Sequence, residues 1–196
     1  MQIILASASP RRQELLKNIF TTFTIHTSSC EENTTFENPA QYVTDLALQK
    51  ASDVAAHYIP ASASDEILII GADTIVYNNG VILGKPANRA EAYQMLQNLS
   101  GKTHEVYTGF ALIHIKGTQT DTHSSYDCTR VHVESLSNQE IDNYIDGPEN
   151  VYDKAGSYAI QGYFSRHISG IEGDYFNVVG LPVNKIYQEL KKHQLL

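Results

Sequence analysis

The sequence predicts a mixed α/β fold, with helices set between strands of both pairing types in one domain over residues 1–196. Three observations predict it. Short apolar runs of strand character alternate with segments of helical period. The helical segments open on Ser or Asn caps followed by Pro, Gln or Glu at the positions where those residues satisfy a helix N-terminus. The alternation runs on without internal repeats, long low-complexity tracts or a clean linker.

Residues 3–6 form a short apolar run that reads as a buried strand, followed by a Ser7-Ala-Ser-Pro10 turn. Ser9 suits the N-cap and Pro10 the first helical position, so Arg11 and Arg12 fall in the first turn, ahead of Leu15, Leu16, Ile19 and Phe20 at helical spacing. Asn38-Pro-Ala-Gln41 opens a second helix, carried from Tyr42 to about Ala56. A small polar loop is expected over 61–65. Residues 67–70 are a fully apolar strand, which 71–77 continues toward an Asn78-Asn-Gly80 hairpin turn and a return over 81–83. Asn88-Arg-Ala-Glu91 reads as a capping box for a helix through Leu99, closed by Ser100-Gly101. Long strands are expected over 106–115 and about 125–133, joined around Gly117. Ser137-Asn-Gln-Glu140 caps a short helix that stops at Gly147-Pro148. Residues 154–173, rich in Gly, Tyr and Ser, read as loops and short strands. Gly180-Leu-Pro182 launches a last helix with Val183, Ile186, Tyr187 and Leu190 inward and Lys191, Lys192 and His193 at its C-terminus.

Composition narrows the function. Hydrophobic residues make up 42% of the chain and charged residues 18%, ordinary for a globular protein. The net charge of -8 argues against a broad nucleic-acid footprint, so an anionic ligand would need a local basic pocket, with or without a metal. Cys30 and Cys128 fit no zinc spacing and make no disulfide framework. The N-terminal apolar run is too short for a signal peptide, and no segment approaches the about 18 apolar residues of a membrane span. The expectation is a cytoplasmic protein with neither a nucleic-acid nor a membrane partner.

Several residues stand out chemically. Two arginines in a helix's first turn, where the backbone already carries partial positive charge, suggest that an anion binds there; the plainer alternative is that they point into solvent. Lys50 lies four residues from both Leu46 and Val54, near the centre of the apolar face of its helix. Its stem either packs while the ammonium escapes to water, or the head group meets an anion in a cleft. Asp73 follows a buried strand and needs a donor, a cation or a metal. Mg²⁺ typically takes one or two carboxylates plus substrate phosphates, and Glu31-Glu32 could supply the second carboxylate or simply be solvated. Lys85, between Gly84 and Pro86, projects from a stiff turn, as ordinary loop lysines also do. His104, His114, His123 and His132 show no metal spacing and read as strand or surface residues. There is neither a Walker A pattern nor Gly-x-Gly-x-x-Gly.

Taken together, Ala6-Ser-Ala-Ser-Pro-Arg-Arg12, Gly71-Ala-Asp-Thr74, Gly84-Lys-Pro86, Asp153-Lys-Ala-Gly156 with Tyr158 and Ile160-Gln-Gly162, and Val178-Val-Gly-Leu-Pro182 resemble the Maf family of nucleoside triphosphate pyrophosphatases. The resemblance spans nearly the whole chain in order. It implies an elongated mixed sheet flanked by helices, with two lobes and a central cleft, similar to the inosine triphosphate pyrophosphatases. It implies hydrolysis of a nucleoside triphosphate to the monophosphate and pyrophosphate, aided by a divalent cation, Mg²⁺ or Mn²⁺. By the same resemblance Asp73 is the catalytic carboxylate, either as general base or as ligand of the metal that activates water; Asp73 and Glu32 are the metal-binding residues, and Ser7, Arg11, Arg12, Lys50 and Lys85 handle the phosphates. The segment 154–162 resembles the branch that prefers dTTP and UTP, in which Arg11, Thr74 and Gln161 are associated with base selectivity. A Gln amide offers both a donor and an acceptor to the O4/N3 edge of uracil or thymine. Two rivals are a non-catalytic nucleotide sensor in septum formation, which would not need Asp73, and a pyrophosphatase for modified purine triphosphates. A homodimer is compatible with any of these.

Overall fold

The computed structural model describes residues 1–58, 62 and 65–196; most of the loop expected over 61–65 lies outside the described residues. In chain order the elements are β1 (Gln2–Leu5), α1 (Pro10–Leu16), β2 (Thr24–Ile25), α2 (Pro39–Ala55), β3 (Glu66–Asn78), β4 (Val81–Leu83), α3 (Arg89–Leu99), β5 (Thr103–Lys116), β6 (Gln119–Val133), α4 (Asn138–Ile145), β7 (Ile168–Glu172), α5 (Tyr175–Val179) and α6 (Val183–Lys192), with 3₁₀ turns at Ala155–Ser157 and Gly162–His167. Among the described residues the strands form one seven-stranded sheet in the order β2-β1-β3-β5-β6-β7, with β4 paired to β3. The sheet is mixed: β1 is parallel to both β2 and β3, whereas β3 with β4 and β6 with β7 run antiparallel. The α/β expectation therefore holds.

Local chemistry accounts for most boundaries. Ser9 caps α1, its hydroxyl accepting from the Arg12 N–H, and Asn38 caps α2 by accepting from the N–H groups of Ala40 and Gln41. The β3–β4 turn puts Asn79 and Gly80 at φ 49° and 84°, the pair of left-handed conformations that suits a two-residue hairpin. Ser137 and Glu140 complete a reciprocal capping box on α4. The box expected at Asn88 is modified: Asn88 accepts from the Glu91 N–H, but the Glu91 carboxylate accepts from Ala87 N–H, one residue further out. Tyr187 is a second departure. It is 40% exposed while Ile186 and Leu190 are buried, because two contact positions suffice to seat the short α6.

The chain divides into two compact units, one of Met1–Asp73, Thr108–Asp127 and Gly180–Leu196, the other of Thr74–Tyr107 and Cys128–Val179. In the first, Ile4, Ala6, Ile67, Ile69, Ala111, Ile113 and Ile115 of the sheet pack against Ala47, Ala51 and Val54 of α2. Two strand glycines set how closely α2 can lie. A Cβ on Gly71 would stand 2.4 Å from the Ala47 carbonyl oxygen, and one on Gly109 would stand 2.3 Å from that of Val43. In the second unit, Val76, Leu96, Leu99, Val106, Val131, Ile141, Tyr144, Val151, Tyr158 and Phe164 belong to one buried cluster.

Candidate active site

In the first unit the site begins at the β1–α1 turn. Pro10 at the helix start and Leu15 and Leu16 in the core orient α1 so that Arg12 turns inward. The Arg12 Nε donates to the Gly180 carbonyl at 2.9 Å, and Nη1 donates to the buried Ser7 hydroxyl at 3.4 Å. Ser7 also accepts from the Ser9 N–H at 3.3 Å, so its oxygen serves two donors and its own O–H is a further one. Burial holds the Arg12 guanidinium below its ordinary pKa; Asp73 opposes that shift, Arg11 adds to it and Glu32 opposes it. A guanidinium stays charged throughout, so Arg12 is a fixed, partly desolvated cation that feels both carboxylates. Arg11, half-buried beside it, is the second cation of the pair. Gly180 was not foreseen as a partner. The Gly-Leu-Pro signal marks the start of α6 but says nothing of which side chain its backbone receives.

The second feature lies on α2 and β3. Lys50 sits on the buried face of α2 beside Leu46, Ala47, Ala51 and Val54, and its side chain is 13% exposed. Its ammonium does not escape to water but donates to Asp73 Oδ1 at 2.6 Å and lies 2.9 Å from Glu32 Oε1. Asp73 is 7% exposed at the point where β3 leaves the first unit. Of the two adjacent glutamates it is Glu32 that converges with Asp73 on one cationic point.

The second unit carries Thr74, Lys85 and Gln161. Thr74 is partly buried on β3, directly after Asp73, whereas Lys85 and Gln161 are exposed. The Gly84 carbonyl accepts from the Gly156 N–H at 3.0 Å, so the Gly84-Lys-Pro86 turn is tied to the segment that carries Lys154 and Gln161. Gln161 precedes the 3₁₀ turn Gly162–His167 and its side chain makes no capping bond there. Its amide is therefore not spent on capping that turn.

A divalent cation is compatible with the donors in the first unit. Asp73 and Glu32 each meet the Lys50 ammonium through one oxygen, and their carboxylates are the hard donor type, in the number, with which Mg²⁺ or Mn²⁺ is held when substrate phosphates complete the shell. Among the described residues no group of three or more His, Cys, Asp or Glu could hold a metal without such help.

Comparison with known proteins gives the family. Residues 2–193 match the family described as Maf-like protein. A protein of Agathobacter rectalis named dTTP/UTP pyrophosphatase is 48% identical over 199 residues, covering 97% of each chain. Proteins of the same name from Thermoanaerobacter sp. (strain X514) and Bacillus cereus (strain AH187) are 46% and 47% identical, covering 98% and 99% of this chain and 96% of each relative.

Proposed function

The chain belongs to the Maf family, and from that premise we propose that it hydrolyses nucleoside triphosphates to the nucleoside monophosphate and pyrophosphate, with dTTP and UTP preferred. The observation that carries the proposal is the convergence of Lys50, Glu32 and the buried Asp73, in the same unit as the inward-turned Arg12. A protein of net charge -8 has no general attraction for a triphosphate and needs such local cations.

Each side chain then has a task. Arg11, Arg12 and the Ser7 hydroxyl bind phosphate oxygens by charge-assisted hydrogen bonds, and Lys50 supplies a nearby positive charge. Lys50 engages Asp73 Oδ1, so Oδ2 is the oxygen we assign to the attacking water. Water opens the α–β phosphoanhydride bond, its proton passes to Asp73, and pyrophosphate leaves with the bridging oxygen. In the alternative role, as metal ligand and not as base, Asp73 with Glu32 would hold the divalent cation, Mg²⁺ or Mn²⁺, which when bound neutralises charge developing on the phosphoryl oxygens. From the second unit, on the motif resemblance, we assign Lys85 to phosphate binding and Thr74 and Gln161, with Arg11, to base selection. We read residues 1–196 as one functional domain, a reading that the family match over residues 2–193 supports. Its two cysteines form no disulfide with each other and no helix of the described residues is long and apolar enough to cross a membrane, which agrees with a cytoplasmic enzyme.

The test is a panel of ordinary and modified nucleoside triphosphates with Mg²⁺ or Mn²⁺, assaying pyrophosphate and orthophosphate separately. Pyrophosphate released from dTTP and UTP well ahead of ATP and GTP is the expected result. Tight binding with no turnover of any nucleotide would favour a sensor, and a modified purine as best substrate would overturn the base preference alone.

A further inference from the structure

We propose that His104 is a positioning residue for nucleotide selection, acting through its hydrogen bond to Tyr158 to hold residues 156–163 in the shape that presents Gln161. His104 lies on β5 and is 2% exposed. Its Nε2 stands 2.7 Å from the Tyr158 hydroxyl oxygen, and the two rings meet edge-on, with centroids 5.4 Å apart and planes at 81°. The other ring nitrogen, Nδ1, is buried with no hydrogen-bond partner among the described residues. A phenylalanine would fill this place without an orphaned nitrogen, so the bond to Tyr158 is what the imidazole provides that an apolar ring does not.

That bond is one of several that fix the same strip from beneath. The Gly156 N–H donates to the Gly84 carbonyl at 3.0 Å, and the Ala159 N–H donates to the Tyr144 hydroxyl at 3.3 Å. Tyr144 in turn donates to Glu149 Oε2 at 3.3 Å, and Glu149 Oε1 accepts from the Tyr163 N–H at 2.5 Å. The Tyr158 and Tyr144 rings flank Phe164 at 4.8 and 5.0 Å. Gln161 is exposed between the anchored Ala159 and Tyr163. A strip held on both sides gives a side-chain amide a defined direction, and a directed donor–acceptor pair discriminates between base edges where a wandering one does not. Tyr158 is the only one of these ties that reaches the buried imidazole.

The inference rests on the assignment of Gln161 as a base contact, and the experiment separates the two. The parent, Gln161→Ala, Tyr158→Phe, His104→Phe and His104→Gln are compared by kcat/KM over dTTP, UTP, CTP, ATP and GTP, with hydrogen exchange followed over 156–163. Tyr158→Phe removes a single hydroxyl and His104→Phe keeps an aromatic ring, so one remains informative if the other fails to fold. Both should lower the parent's best-to-worst selectivity ratio by about tenfold, chiefly by raising KM for the preferred nucleotide with kcat little changed. Exchange over 156–163 should quicken, and His104→Gln, which restores a hydrogen-bonding group, should recover part of the ratio. A ratio unchanged in Tyr158→Phe and His104→Phe while their melting temperatures fall would make the pair merely structural and overturn the inference. If Gln161→Ala also leaves the ratio unchanged, the base-contact assignment fails as well; if Gln161→Ala lowers it and the others do not, only the His104 inference fails.

Discussion

Replacing Lys50 by methionine takes one ammonium from between two carboxylates while leaving an unbranched stem on the buried face of α2. At 2.6 Å from Asp73 Oδ1, and with an effective dielectric constant of about 20, the gross attraction is about 6 kcal/mol. Desolvation of both groups offsets much of this, since the side chains of Lys50 and Asp73 are only 13% and 11% exposed. Removing one partner of a fully buried pair typically costs about 3–5 kcal/mol; the half-exposed Glu32 at the edge of this cluster puts Lys50→Met at the lower end, about 3 kcal/mol. Asp73→Asn should cost less, because an amide oxygen still accepts from the ammonium. The double variant should be more stable than the sum of the two losses predicts, by about 2 kcal/mol. Urea unfolding of the four proteins, comparing midpoints at constant m, measures this directly. Losses that add to within about 0.5 kcal/mol would refute the coupling, and parental stability in Lys50→Met would make the lysine an ordinary snorkelling residue.

Three further outcomes follow from particular contacts. Gly109→Ala places a Cβ 2.3 Å from the Val43 carbonyl oxygen, a backbone atom that no rotamer change can remove; we expect a loss of about 3 kcal/mol in urea unfolding and a fall in kcat, because α2 carries Lys50, and unchanged values for both would contradict the close-packing account. Burial lowers the His104 pKa from 6.5 to about 4, so between those values the unfolded chain binds the proton and the folded one does not. Stability is then fully present above about pH 6.5 and declines as pH falls toward 4, by about 3 kcal/mol; His104→Phe should lose that part of the pH slope, and an identical slope in variant and parent would refute the neutral buried imidazole. Gln161→Ala should erode the preference for dTTP and UTP over ATP and GTP in competitive turnover while leaving the fold intact, as its side chain is exposed; an undiminished preference would remove Gln161 from base selection.

Features set by neighbours in the chain were legible before the structure. Ser9 and Pro10 placed Arg12 in a first turn, Asn79 and Gly80 announced the β3–β4 hairpin, and the spacing of Leu46, Lys50 and Val54 put a lysine on a buried face. Partners distant in sequence were not legible from the pattern. Nothing local says that Lys50 meets Asp73 rather than water, or that Arg12 reaches the carbonyl of Gly180 across 168 positions. His104 read as a plain strand or surface residue ahead of the strand expected from residue 106, and its bond to Tyr158 spans 54 positions. The two-residue β2 and the five-residue α5 are too short to carry a period, and they exist because the sheet edge and the chain before Gly180 find partners in the fold. Tyr187 was misplaced because helical spacing identifies a face without telling how wide a stripe is covered.

Asp73→Asn tests the central claim most directly. The phosphate-binding groups assigned here belong to other residues, so nucleotide binding should survive while the step that opens the phosphoanhydride is lost. Steady-state release of dTMP and pyrophosphate from dTTP, set beside equilibrium binding of a non-hydrolysable dTTP analogue, separates the two. The account predicts kcat down by about a thousandfold or more with the dissociation constant within about threefold of the parent. Turnover within a factor of about ten of the parent, a change of about 1.4 kcal/mol in the barrier, would contradict it.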